Sequence, residues 1–124
     1  VGSHPLSRVE TEMKITKVSE QPVAKNPHGI DVRRVYDSEY ALSSHLTLKP
    51  GEQLLRHITP VDVFFYVLEG TGIVEVGSEE LEVSKDTAIE SPQDIPHCWY
   101  NRSDADLRIL VVKVPRPTTG TKLL

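Results

Sequence analysis

The sequence predicts an all-β domain, and three observations carry that expectation. Nine prolines and seven glycines punctuate a chain of only 124 residues, which calls for many turns and short segments. The segments between them are rich in β-branched and aromatic residues and alternate with period two. No window of eleven or more residues carries a helical period, so a sandwich, jelly roll or barrel of two packed antiparallel sheets is expected.

Taken in order, Lys14–Val18 (KITKV) and Ile30–Tyr36 (IDVRRVY) read as strands, with Pro22, Pro27 and Gly29 in the loop between them. Ala41–Leu48 (ALSSHLTL) places Leu42, Ser44, Leu46 and Leu48 on one face and Ser43, His45 and Thr47 on the other. After the Pro50-Gly51 turn comes Gln53–Thr59. Val63–Leu68 (VFFYVL) follows and ends at Glu69-Gly70-Thr71-Gly72. Ile73–Val76 and Glu80–Val83 flank Gly77-Ser78-Glu79 as a hairpin. Thr87–Ile89, His97–Tyr100 and Leu107–Val114 complete the set. The segment after Pro115 shows no pattern and reads as a flexible tail over 118–124, or as an arm on a neighbouring subunit.

Composition narrows the function classes. Hydrophobic residues are 38% and charged residues 26% of the chain, a globular balance without the run of about 20 apolar residues that a membrane helix needs. A net charge of -4 argues against nucleic acid or an anionic membrane as partner. The lone Cys98 excludes an internal disulfide and fits a reducing cytoplasm. The only methionine is Met13, so residues 1–12 are expected to be a leader remnant or a disordered arm, and 13–117 the single domain.

Two stretches hold the chemistry. The first runs from Pro50 through Gly51, His57 and Thr59 to Phe65-Tyr66-Val67-Leu68-Glu69-Gly70; the second is Pro92-Gln93-Asp94-Ile95-Pro96-His97-Cys98-Trp99-Tyr100-Asn101. Together they resemble the two signature motifs of the cupin superfamily. Gly51, His57 and Gly70 match the first motif, with Thr59 at its second histidine and Val63 at its glutamate. Pro92, His97 and Asn101 match the second, with Asp94 and Asp86 standing where the family has glycines. The resemblance spans about Ile30 to Val114 and implies a cupin-type jelly-roll β-barrel, a small-molecule site inside it, and a homodimer with exchanged edge strands.

Metal-binding cupins, which this chain resembles, use two His and a Glu from the first motif and a His from the second. A divalent transition metal wants three or four N, O or S donors at about 2.0–2.3 Å, and of the family set only His57 and His97 remain. His45, on the adjacent strand, is the candidate to refill a metal site, although its parity sets it opposite the leucine face. The expectation is therefore a small-molecule-binding cupin with a reduced or absent metal site. Its cavity would be lined by Leu55, His57, Thr59, Val63, Phe65, His97 and Trp99, and any iron, nickel, manganese or zinc would be weakly held. The lost Glu and His make that cavity less polar, suiting a partly apolar organic carboxylate or a sugar derivative. A metal-dependent enzyme (dioxygenase, isomerase or lyase-like) with His57, His97 and His45 as ligands is the second reading, and a non-catalytic sensor or structural module the third. Cys98 adjoins His97 but points to the opposite face, so the two form no nucleophile–base dyad.

Overall fold

The computed structural model describes residues 12–124; the expectation for residues 1–11 lies outside the described residues. Ten strands form two five-stranded sheets. They are β1 (Asp31–Asp37), β2 (Leu42–Leu48), β3 (Gln53–Ile58), β4 (Asp62–Glu69), β5 (Thr71–Val76), β6 (Glu79–Ser84), β7 (Ala88–Ser91), β8 (His97–Tyr100), β9 (Leu107–Val114) and β10 (Lys122–Leu123). One sheet runs β1-β2-β9-β4-β7 and the other β10-β3-β8-β5-β6, and all pairings are antiparallel. The strand pattern leaves sandwich, jelly roll and barrel open, and this is the two-sheet jelly roll that the resemblance implies.

Alternation explains which side chains fill the barrel. Val63, Phe65 and Val67 of β4 and Leu107, Ile109 and Val111 of β9 are buried, while the intervening Phe64 stands partly exposed on the outer face. Trp99 and Phe65 meet edge to face with centroids 5.5 Å apart at the centre of the core. Each such ring contributes roughly 2–3 kcal/mol through removal from water.

Two departures from regular backbone are also legible in the motifs. Gly70, between β4 and β5, has φ +87°, and a Cβ there would collide with the carbonyl oxygen of Asp106. Only glycine meets both demands. Asp86 and Asp94, the two positions where the family has glycines, adopt φ 65° and 63°. The left-handed turn is therefore kept, and aspartate is one of the few non-glycine residues that tolerates it.

The ends differ from expectation. Lys14–Val18 forms no strand; Val18–Glu20 is instead a single 3-10 turn. The Arg33 guanidinium on β1 donates to the carbonyls of Val18, Ser19 and Gln21, which satisfies the segment without a ladder. The tail, expected to be flexible, lays Lys122 and Leu123 against Ile58 and His57 of β3.

Candidate functional site

The site is built on a bulge in β3. Its register against β8 pairs Leu54 with Trp99 and His57 with His97, and shifts between them. The extra residue turns both Leu54 and His57 inward and leaves the backbone of Leu55 free for side chains. The Leu55 N–H donates to Nδ1 of His28 at 2.8 Å. Its carbonyl accepts from Nδ1 of His57 at 2.6 Å.

Those two bonds decide the tautomers. His57 carries its proton on Nδ1, so Nε2 is a lone pair. His97 Nε2 lies 3.0 Å from it and must be the donor. His97 Nδ1 then accepts from the Ser91 hydroxyl at 2.7 Å. The result is a continuous chain from Ser91 through His97 and His57 to the Leu55 carbonyl. Thr59 Oγ1 is farther away, 3.5 Å from His97 Nε2.

All three imidazoles are held neutral. Burial, followed by the charges of His57 and Lys113, pushes His97 down to about 3. Burial, then the same two neighbours, lowers His28 to about 4. Burial also lowers His57, opposed by its bond to Leu55 and aided by Lys113.

A cavity of about 290 Å³ opens onto these rings. Its apolar wall includes Leu42, Leu46, Leu54, Val63, Phe65 and Val111, and its polar groups include His28, His57, Thr59, His97 and Lys113. Of the residues expected there, His57, Thr59, Val63, Phe65 and His97 are brought together. Leu55 is not among the lining residues, because the bulge exchanges it for Leu54. Trp99 is fully buried behind Phe65 and packs as core rather than as cavity wall. His45 points to the other side of β2, where Arg108 Nε donates to its Nε2 at 3.1 Å, so it does not supplement the His57–His97 pair. Cys98 faces away from the cavity, with Sγ 3.5 Å from the Tyr100 hydroxyl and its pKa raised by burial.

Sequence reasoning missed His28, Ser91 and Lys113. His28 was masked by its loop, Asn26-Pro27-His28-Gly29. Lys113 carried a usable signal, for it continues the inward parity of Leu107, Ile109 and Val111 on β9.

The family's metal does not fit this donor set. The cavity lining supplies no carboxylate. His28 uses Nδ1 as an acceptor, so its Nε2 bears the proton and offers no lone pair. His57 and His97 are left with only the neutral Thr59 hydroxyl, a poor third ligand, where three or four good donors are required, and a lysine ammonium shares the space. Among the described residues, no group of three or more His, Cys, Asp or Glu is arranged to hold a metal ion.

Comparison with known proteins gives the class. A family model described as "Cupin domain" matches residues 44–113, more than half of the chain, and the protein belongs to the cupin superfamily. A structure titled TT1209, from Thermus thermophilus, is 32% identical with a TM-score of 0.73, covering 85% of this chain and all of that one. The tetracenomycin polyketide synthase protein TcmJ of Streptomyces glaucescens is 31% identical over 80 residues, which is 61% of this chain and 54% of TcmJ. The polyketide cyclase RemF of Streptomyces resistomycificus superposes with a TM-score of 0.76 over 90% of this chain and 85% of its own, at 20% identity, a likeness of fold. The chain spans about half the length of the curated relatives it matches, 54% and 49%.

Proposed function

We propose that this cupin binds a small, partly apolar organic molecule inside the barrel, against the His57–His97 pair rather than on a metal. The observation that carries this reading is the 3.0 Å Nε2–Nε2 hydrogen bond between two neutral imidazoles facing a cavity whose lining holds no carboxylate. Buried imidazoles are costly unless paired, and here each is bonded while its edge still borders open space. The apolar side chains Leu42, Leu46, Leu54, Val63, Phe65 and Val111 around the same cavity suit a ligand with a hydrocarbon or aromatic body. The names of TcmJ and RemF add one chemical class to the candidates, the oxygen-rich polycarbonyl or phenolic compound.

A melting-temperature screen of the protein tests this reading. Benzoate, salicylate, acetylacetone, glucuronate and neutral sugars are each titrated with a chelator present. A ligand of the barrel stabilises with the logarithm of its concentration above Kd, by about 2.7 kcal/mol at a hundredfold excess, and the gain disappears in His57→Ala. Should no compound shift the melting temperature, the reading falls and the barrel is a structural module.

A further inference from the structure

Among the described cavity-lining side chains, Lys113 is a charged group without a counter-ion. It lies on the inward face of β9, and its cross-strand neighbours are Leu42 on β2 and Val63 on β4, neither of which can pair with an ammonium. Among the described residues no carboxylate comes within 4.0 Å of it to form an ion pair. Arg34, also on the cavity rim, is engaged by Asp37 at 3.3 Å. The other titratable groups bordering the space are Lys25 and the three neutral histidines. The cavity therefore carries positive charge with nothing of its own to balance it. A half-buried, unpaired ammonium is expensive to hold unless an anion joins it.

Resting on the binding reading above, we propose that the barrel selects an organic anion, a carboxylate, enolate or phenolate, whose charged oxygen sits against the Lys113 ammonium beside the imidazole pair. The hydrogen-bond chain supports this placement. Ser91, His97 and His57 form a chain that ends at the Leu55 carbonyl and occupies all four ring nitrogens, so the pair has no N–H left for the anion and Lys113 is the group that meets its charge. The carbon edges of the two rings border the cavity. The ammonium lines the same cavity as the three rings, and its charge helps to lower His28, His57 and His97. The apolar wall at Phe65, Leu46 and Leu54 takes the body of the molecule and excludes water from the ion pair, which strengthens it.

The test pairs isosteres that differ in charge, benzoate against benzamide and salicylate against salicylamide. Calorimetric titration is carried out on the wild-type protein, Lys113→Gln and Lys113→Arg. The wild type should prefer each anion at least tenfold over its amide. Lys113→Gln should lose that preference, and Lys113→Arg should retain it. A cooperative melting transition close to that of the wild type shows that each variant is folded. If the anion preference survives in Lys113→Gln, the assignment is overturned although the binding reading stands. If amides bind as tightly as anions to the wild type, it is likewise overturned. If neither anions nor amides bind any form, both readings fail together.

Discussion

Acid should weaken this protein through His97. The ring is 1% exposed, sandwiched between Phe65 and His57 with ring centroids 5.1 and 4.4 Å away, and its folded pKa is about 3 against an ordinary 6.5. Because the folded value is the lower one, the unfolded chain takes up a proton that the native barrel refuses. Stability is therefore intact above 6.5 and falls as the pH drops below it, continuing toward about 3. Linkage puts the loss from this one ring at about 2 kcal/mol between about pH 7.5 and about pH 5. Urea unfolding at a series of pH values measures it directly. His97→Gln removes the titrating ring, while the carboxylates and the other histidines titrate in both proteins. The wild type should lose about 2 kcal/mol more than His97→Gln over that interval. Equal losses in the two proteins would refute the reasoning, since His97 would then titrate near its ordinary value and could not be the neutral, buried donor to His57.

Backbone geometry gives two further expectations. Gly70→Ala should destabilise by about 2–4 kcal/mol, because φ +87° and the Asp106 carbonyl both oppose a Cβ; Gly120→Ala, with open space around it, should stay within about 0.5 kcal/mol. A small effect at position 70 in denaturant melts would show that this turn relaxes freely. At exposed Asp94, φ 63° predicts that Gly is at least as stable as Asp, and Ala about 1 kcal/mol worse. An Ala variant matching Asp in the same melts would contradict that order.

Strands such as β4 and β9 were legible because they alternate against a buried face, the others because turn residues bound short β-branched or aromatic runs, and the His57 and His97 motifs were legible because spacing alone identifies them. What escaped was set by partners distant in sequence. Leu54 and Leu55 are the same residue type side by side, so nothing local tells which one the bulge in β3 turns inward. Parity from His57 selects Leu55, and the register shift against β8 selects Leu54. Lys14–Val18 has the β-branched Ile15, Thr16 and Val18 that suit a strand, yet no edge accepts it, and Arg33 from β1 binds the following turn instead. Trp99 shares the parity of His97, but one residue pair farther along the strand lies beneath Phe65, outside the cavity. Lys113 shows the opposite case. Its inward parity was written in LRILVVKV, and the one lysine at a core-facing position of that run marks the feature that most distinguishes this barrel's interior.

The account's central claim is that this cupin frame holds its positive charge on a lysine and no longer assembles a metal site. Titration of the chelator-treated protein with zinc, nickel, manganese and ferrous iron in a calorimeter tests that most directly. With only His57 and His97 of the lining imidazoles left to coordinate, no carboxylate, and the Lys113 ammonium in the cavity, the prediction is no one-to-one binding tighter than about 100 μM. Stoichiometric binding at about 1 μM or below, abolished by His57→Ala, would contradict it.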